Sequence, residues 1–276
     1  MLRPSSRRPK RGSARADPRA STAKDRHFVT ALARGLEVLA CFHAGDTLLS
    51  NGEIAARARL PKSTVSRLTY TLTRLGYLFW SEDRGKYRLG ASALAVGTAV
   101  LSRMNIRQLA RPMMQELADF SQGVVALGAR VQLGIIYVET CRSQAALTLS
   151  LDVGSRVPIA TTAIGRAYLA VAPNEERRAL LAELRAAEGP SWPKTRAAIE
   201  GALAEYRRIG CTSSFGEWQS DVNGIAVGVR TGQGQPPMAI NCGGAAFNLT
   251  PTFLIDQVRP RLLALVRNLE QSLGHD

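Results

Sequence analysis

Histidine is scarce in this 276-residue sequence, which has only His27, His43 and His275. A serine or cysteine nucleophile between positions 44 and 274 would therefore lack its commonest general base. The sequence also lacks a G-x-S-x-G motif, a Walker A loop and a G-x-G-x-x-G that follows a strand. The carboxylates of Glu217 and Asp221 remain as a catalytic pair, but we expect them to be solvated or to orient a pocket. The sequence therefore disfavours an enzyme.

Cysteine pairs with C-x-x-C spacing and long apolar runs are missing as well. Without such pairs, we predict no metal site, no cofactor, and buried free thiols in a reducing cytoplasm. The longest apolar run, 91–101, is shorter than the roughly 18 residues of a spanning helix, and residues 1–26 have no apolar segment typical of a secretory signal. These absences predict a soluble cytoplasmic protein with no membrane partner. The cysteines are Cys41, Cys141, Cys211 and Cys242.

The net charge of +14 is concentrated towards the N-terminus. Residues 1–26 carry nine Lys/Arg and two acids, residues 27–90 nine and five, and residues 91–276 eighteen and fifteen. This distribution predicts a polyanionic partner at the N-terminal end, although an acidic membrane surface would also attract it. Residues 1–26 are predicted to be a disordered basic tail, which either adds non-specific phosphate attraction or has no role.

The stretch 61–77, PKSTVSRLTYTLTRLGY, has two different faces at helical pitch. One face is apolar and the other carries serine, arginine and tyrosine without a carboxylate, so it can donate hydrogen bonds to phosphates and base edges. It is either a DNA recognition helix or an ordinary amphipathic helix. The apolar face comprises Val65, Leu68, Leu72 and Leu75, and the polar face comprises Ser63, Ser66, Arg67, Tyr70 and Arg74.

Two shorter helices are predicted before this stretch. The first covers 28–42, with Phe28, Leu32, Leu36, Leu39 and Phe42 on one face. The second begins at Ser50, where Ser50 and Glu53 form an S-x-x-E capping box. Pro61 suits the first turn of the third helix, and Gly76 ends it. This order is typical of a helix-turn-helix.

A β-hairpin is predicted immediately after the third helix. The β-prone runs 77–80 and 86–89 flank a turn that contains Gly85. Arg84, Lys86 and Arg88 lie near its tip, where they could reach phosphates or a minor groove. The hairpin would make the module a winged one, which favours DNA binding over the alternative of a protein-interaction module.

A linker is predicted at 91–121. The segment 91–103 is apolar and nearly uncharged, so it should pack against a second copy of itself or against a neighbouring domain. The segment 105–121 continues as a helix, which Pro112 should kink or restart.

Beyond residue 122 the predicted strands occur in groups with helices around them, which predicts a second, α+β domain. A final helix is expected at 251–273, with Thr250 as its N-cap. The predicted strands are 124–130, 133–141, 145–151, 224–231 and 237–243, and the other helices are 163–172, 174–187 and 194–209.

Three blocks of sequence, in this order, resemble the IclR family of bacterial transcription regulators. They are LPKSTVSRLTYTLTRLGYL with a wing that ends in KYRLG, GSRVPIATTAIGRAYLA, and IGCTSSFGEWQSDVNGIAVGV. The likeness covers about 27–273 and implies an N-terminal winged helix-turn-helix (27–90), a linker helix (91–121) and a GAF-like effector domain (122–276). It also implies a homodimer or homotetramer on a palindromic double-stranded DNA operator. A small organic acid is one candidate for the effector.

The resemblance also implies site residues. The DNA-contacting positions are Lys62, Ser63, Thr64, Ser66, Arg67, Arg84 and Lys86, to which the exposed face of the helix adds Tyr70 as a candidate for operator choice. The effector positions are the turn at Ala163 and Ile164, Ser214 in the loop before Trp218, Gly224, Asn241 and Gly243. The chain departs from the family pattern at Cys211, Gly228 and Gly244-Ala245.

Neutral hydrogen-bonding groups surround these effector positions. They suit a small carboxylate or hydroxylated ligand, although turn and cap contacts are their more frequent role. Glu217 could order the loop 213–216, face water or hold an effector hydroxyl. The neutral groups are Thr161, Thr162, Ser213, Ser214 and Asn241.

Overall fold

The computed structural model describes residues 27–43, 45–101, 104–143, 151–232 and 235–274. These residues form two compact units, the N-terminal and C-terminal domains, and the chain passes from one to the other after Gly90. The predicted basic tail 1–26 lies outside the described residues. In the described part of the chain, no helix is long and apolar enough to cross a membrane.

The N-terminal domain consists of three helices and a two-stranded antiparallel sheet. Val38, Ile54, Val65 and Leu78 form the centre of its core. The elements are α1 (Thr30–Ala40), α2 (Asn51–Ala58), α3 (Lys62–Arg74), β1 (Leu78–Ser81) and β2 (Lys86–Leu89). The predicted helices and the wing are therefore confirmed.

The apolar face predicted for α1 is confirmed at Leu39 and Phe42, which pack against the core, and is wrong for the three residues before them. Phe28, Leu32 and Leu36 are exposed, whereas Val38 is fully buried and Leu39 packs against the core. The core is reached from the C-terminal half of α1, so the apolar side chains near its start have no cover within this domain.

The ends of α2 and α3 follow the predicted cap chemistry with one shift. The Ser50 side chain accepts from the Glu53 N–H and the Glu53 carboxylate accepts from the Ser50 N–H, which confirms the capping box. Pro61 is the N-cap of α3, one residue before the predicted first turn. Gly76 follows the helix with φ +75°, where glycine avoids the strain of a Cβ.

The packed face of α3 differs from the prediction at its C-terminal end. Val65 is buried and Leu68 and Leu72 pack against the core, as predicted. Leu75 is 59% exposed, and Thr69 is buried in addition. Leu75 is the C-cap, and the chain turns away at the following Gly76, where φ is +75°.

Two helices occupy the predicted linker. α4 (Ala91–Leu101) has no buried residue, whereas α5 (Asn105–Ser121) is amphipathic and contributes Ile106, Ala110 and Met114 to the C-terminal core. Pro112 lies inside α5 and does not begin a new helix.

The C-terminal domain is built on a six-stranded antiparallel sheet with the order β5-β4-β3-β8-β7-β6. Four predicted strands are confirmed with ends shifted by at most two residues. The predicted strand 145–151 lies outside the described residues except for Leu151, which is not in a strand. The strands are β3 (Val124–Val131), β4 (Gly134–Arg142), β5 (Arg156–Pro158), β6 (Thr212–Phe215), β7 (Val222–Val229) and β8 (Met238–Ala245).

Helices cover both faces of this sheet, which confirms an α+β domain. α5 and the C-terminal helices pack on one face, and α6 and α8 pack on the other. The predicted last helix is interrupted by a π-helical turn at Leu254–Val258, and Thr250 caps its start by accepting from the Phe253 N–H at 3.3 Å. The helices are α6 (Ala163–Val171), α7 (Asn174–Glu188), α8 (Trp192–Ile209), α9 (Pro251–Phe253) and α10 (Arg259–Ser272).

Candidate nucleic-acid interface and ligand pocket

The outward face of α3 presents polar side chains with no carboxylate among them. Tyr70 is 66% exposed. Lys62, Ser63 and Arg67 are exposed too, while Thr64 is half-buried. In the part of the chain that the structure describes, Lys62 and Arg67 have no ion-pair partner. This face can therefore offer two cations and several hydrogen-bonding groups to a polyanion.

Ser66 is also exposed, but its hydroxyl is already engaged. It donates to the Lys62 carbonyl oxygen at 3.0 Å and accepts from Nδ2 of Asn51 at 2.5 Å. Because Asn51 is the first residue of α2, this pair holds the two helices at a set distance. Ser66 thus has a positioning contact that the sequence did not indicate.

The wing is anchored to the helices through Tyr87. Its backbone pairs with Leu49 through two hydrogen bonds of 2.8 and 2.7 Å, and its phenol is hydrogen-bonded to the Thr69 hydroxyl at 3.3 Å. Trp80 packs on Tyr87 with ring centroids 4.6 Å apart. The wing is therefore a fixed extension of the helical core.

The basic residues of the wing have partners of their own. Lys86 Nζ lies 3.3 Å from Glu53 Oε2, and Arg84 lies 3.9 Å from Asp83. Arg88 covers the ring of Phe79. Hydrogen bonds from Ser50, with a further contribution from Lys86, lower the pKa of Glu53 to about 2, so this carboxylate is ionised at neutral pH. Two predicted DNA contacts, Arg84 and Lys86, are therefore partly neutralised.

All six predicted effector residues line one cavity of the C-terminal domain, together with Tyr137, Thr162, Trp218 and Asn223. Two of the predicted placements are wrong. Ala163 and Ile164 are the first residues of α6, not a turn, and Ser214 belongs to β6, not to a loop. The departures from the family pattern do not reach the lining among the residues described.

The floor of the cavity is backbone. Gly224 on β7 faces Gly243 on β8 in the strand register, so no side chain rises from either residue. A Cβ on Gly243 would lie 3.1 Å from the Asn223 carbonyl oxygen. The space open to the centres of water-sized spheres is about 40 Å³, so the cavity suits a small ligand.

Most polar groups near the cavity serve turns and caps. The Ser214 hydroxyl donates to the Thr161 carbonyl oxygen at 2.9 Å. Thr162 caps α6 by accepting from the Gly165 N–H at 3.2 Å, and it donates to the Pro158 carbonyl oxygen at 2.6 Å. The expected cap role is thus observed for Thr162, whereas Ser214 ties β6 to the segment before α6.

Asn241 and Tyr137 provide the polar groups that point to a ligand. Asn241 Nδ2 donates to the Tyr137 phenol at 3.5 Å, while Asn241 Oδ1 is buried without a hydrogen-bond partner. Burial raises the pKa of Tyr137 to about 12, so it remains a neutral phenol. The lining contains no ionisable side chain apart from this phenol.

Arg166 holds together the segments beside the cavity and was missed in the sequence. Its side chain is 4% exposed and forms a bidentate pair with the Glu217 carboxylate, at 2.9 and 2.6 Å. It also donates to the Ala160 and Ser213 carbonyl oxygens at 2.9 and 3.3 Å. Glu217 therefore orders the segment before Trp218. The signal was a single arginine in the apolar run AIGRAYLAV.

The described residues contain no cluster that could hold a metal ion. All four cysteines are buried free thiols, as predicted. Burial raises the pKa of Cys211 to about 12 and that of Cys242 to about 11, so both thiols stay protonated and inert.

Comparison with known proteins places the chain in one family. Residues 31–80 match the IclR helix-turn-helix domain and residues 98–271 match the family described as bacterial transcriptional regulator IclR C-terminal. The HTH-type transcriptional regulator TsaQ1/TsaQ2 of Comamonas testosteroni is 33% identical over 248 residues, 89% of either chain. An IclR family transcriptional regulator from Brucella abortus has a TM-score of 0.80 and 42% identity over 90% of this chain and 94% of that one.

A third relative was solved with a ligand. It is an IclR homologue from Microbacterium hydrocarbonoxydans complexed with 4-hydroxybenzoate, with a TM-score of 0.69 and 25% identity over 89% of this chain and 99% of that one. The matches confirm the predicted fold class, with its GAF-like C-terminal domain, and these relatives are regulators, not enzymes. The chain belongs to the IclR family of bacterial HTH-type transcriptional regulators.

Proposed function

We propose that this regulator binds a palindromic operator as a dimer, with α3 in the major groove, and responds to a small organic acid in its C-terminal cavity. The observation that carries the DNA-binding proposal is the outward face of α3, where Lys62, Arg67 and Tyr70 are exposed and no carboxylate is present. In a dimer, the two recognition helices would enter successive major grooves about 34 Å apart.

Arg67 is assigned to affinity and Tyr70 to operator choice. An arginine on this face can pair with phosphate or with guanine, whereas a phenol can donate to or accept from a base edge. Ser66, bound to Asn51, sets the angle of α3 instead of donating to DNA. The wing contributes less charge than its sequence indicates because Lys86 is paired with Glu53.

Replacing Arg67 with alanine tests the DNA-binding proposal. We expect a loss of affinity of about fivefold to 150-fold for the upstream intergenic region of the regulator's own gene, since one arginine contact contributes about 1–3 kcal/mol. A mobility-shift titration at fixed salt measures this loss. Arg178→Ala, on exposed α7, is the matched control and should bind normally. Equal affinity for both variants would remove Arg67 from the interface.

We assign the dimer interface to α4, which would pack against a second copy of the chain. Leu94, Val96 and Val100 are exposed on this apolar helix, which has no buried residue among those described. A helix of this composition needs a partner in water, and closed symmetric dimers are the commonest oligomers. A tetramer would require a further surface.

We infer the class of ligand from the polar groups at the two ends of the cavity. The first N–H groups of α6, at Ala163 and Ile164, have no partner within the helix and favour a carboxylate. Asn241 Oδ1 lacks a donor, which a ligand hydroxyl would supply. A small hydroxylated carboxylate satisfies both ends, and the relative bound to 4-hydroxybenzoate supports this class. Occupancy would change operator affinity only if the two arrangements of the dimer bind the ligand differently.

Asn241→Leu tests the ligand assignment. It removes the orphan oxygen and fills part of the cavity, so we expect 4-hydroxybenzoate and related hydroxylated carboxylates to bind at least tenfold more weakly. Isothermal titration against wild-type protein provides the measurement, with Asn174→Leu on α7 as control. If a carboxylate binds both variants equally, it occupies another site.

A further inference from the structure

Arg59 occupies a backbone conformation that arginine rarely adopts. It is the C-cap of α2, with φ 53° and ψ 41°, and its N–H donates to the Ala55 carbonyl oxygen. The left-handed region brings Cβ too close to the following carbonyl, so glycine or asparagine is usual there. This chain uses glycine for the same purpose at Gly210, which ends α8 with φ 76°. An arginine is thus kept where a residue without a Cβ would fit with less strain.

The side chain of Arg59 is exposed and has no partner among the described residues. Neighbouring cations are engaged, since Arg57 donates to the Cys41 carbonyl oxygen at 2.8 Å and Lys86 pairs with Glu53. Arg59 is thus, like Lys62 and Arg67, an exposed cation without a partner among the described residues.

The place of Arg59 in the chain indicates a role for its guanidinium. Ala58 and Leu60, which flank Arg59 in the chain, are both buried, so the turn is fixed on both sides of the strained residue. Lys62, three residues on, begins the helix that faces DNA. Residues held in sparse backbone regions persist where the surroundings over-determine them and often serve a site.

We propose that Arg59 is a DNA-backbone contact, whose left-handed conformation aims the guanidinium at a phosphate beside the entry point of α3. The inference rests on the proposed role of α3. It assigns to the turn between α2 and α3 the phosphate contact that the sequence pattern assigned to the wing. Arginine suits this task because its fork matches two phosphate oxygens.

Three variants separate charge from strain. Arg59→Asn removes the cation and tolerates the left-handed region, Arg59→Gly removes both cation and strain, and Arg59→Lys keeps the cation. Binding to a random-sequence DNA duplex is measured by fluorescence anisotropy at several salt concentrations. Loss of one phosphate contact lowers the slope of log K against log salt by about 0.9 and weakens binding about threefold to tenfold. We expect this for the Asn and Gly variants, with the slope retained in the Lys variant.

Gln122→Gly is the matched control for strain. Gln122 ends α5 in the same backbone region, with φ 52°, and is exposed. We expect Arg59→Gly and Gln122→Gly each to raise the melting temperature of their own domain by a few degrees, and only the former to weaken DNA binding.

The outcomes distinguish this inference from the proposed function. An unchanged salt slope for Arg59→Asn, with binding lost in Arg67→Ala, would overturn the role of Arg59 and leave α3 as the reader. A wild-type protein that binds no duplex would overturn both.

Discussion

Single residues decide how close the helices of the C-terminal domain come to the sheet. On the face that meets α6 the strands present small side chains, Ala126, Ala226 and Ala239, whereas the opposite face carries Val125 and Ile240. The alternation follows the period of two along each strand. Small residues let α6 approach, which brings its N-terminus to the rim of the cavity.

Gly165 shows how tightly α6 packs against the turn that precedes it, which contains Ile159. A Cβ there would lie 2.3 Å from the Ile159 carbonyl oxygen and 2.4 Å from its Cα, and backbone atoms cannot move aside as a side chain would. We expect Gly165→Ala to lower the free energy of unfolding by about 3 kcal/mol.

Chemical denaturation measures this loss of stability in Gly165→Ala, and Gly201→Ala is the matched control. Gly201, inside α8, has nothing within 4 Å of its Cβ position, so Gly201→Ala should stabilise the domain by about 0.5–1 kcal/mol. If both substitutions prove neutral, α6 does not pack as closely as described.

At the scale of elements, the Glu53 carboxylate joins α2 to the wing in the N-terminal domain. Glu53 closes the capping box of α2 through the Ser50 N–H at 2.7 Å, and the same oxygen lies 3.3 Å from Lys86 on the wing. The S-x-x-E pattern predicted the first contact. The second depends on the hairpin folding back, which the bridge between Leu49 and Tyr87 enforces.

This arrangement predicts a pH dependence. The pKa of Glu53 is lowered from 4.5 to about 2 by the hydrogen bonds from Ser50 and by Lys86. A carboxyl whose folded pKa is depressed stabilises the fold above its ordinary pKa, and that contribution is lost as pH falls from 4.5 towards 2. We expect Glu53→Gln to lower stability at pH 7 and to have progressively less effect below pH 4.5.

Thermal unfolding of the wild-type protein and of Glu53→Gln, at pH 7 and at pH 2, measures this difference. Glu82→Gln, on the exposed turn of the wing, is the control, since no pairing partner of Glu82 is described. A Glu53→Gln effect of equal size at pH 7 and pH 2 would contradict the assignment.

At the scale of the whole molecule, apolar surface without cover predicts self-association. α4 exposes Leu94, Val96 and Val100, and α1 exposes Leu32 and Leu36. A monomer would leave both faces in water, where scattered apolar residues are normal but contiguous ones mark an interface.

Val96→Glu should therefore shift the oligomer towards monomer. A charge buried in an apolar interface without a partner costs several kcal/mol, so we expect the dissociation constant to rise by at least 100-fold. Sedimentation velocity over a concentration series measures it. Leu109→Glu, on the exposed side of α5, is the control: if it dissociates the protein and Val96→Glu does not, α5 provides the interface.

The sequence by itself determined the order of elements and most of their bounds, because helix periodicity, the S-x-x-E box, Thr250 and the glycine stops act over a few neighbouring residues. It also indicated the polar face of α3 and the six residues of the cavity through a family pattern. It missed β5 and β6. β5 has only three residues, and the polar TSSF run of β6 has little strand signal of its own and pairs only because β7 lies beside it.

Only the tertiary structure decided which of these side chains are free to contact DNA or a ligand. Lys86 and Ser66 are less available to DNA because Glu53 and Asn51 lie beside them, and Glu217 is held by Arg166 across 51 residues. The first three residues of the apolar face assigned to α1 are exposed because the core meets only the C-terminal end of that helix. Pattern along the chain reports what a side chain can do, whereas its partners depend on distant segments that folding brings within hydrogen-bonding distance.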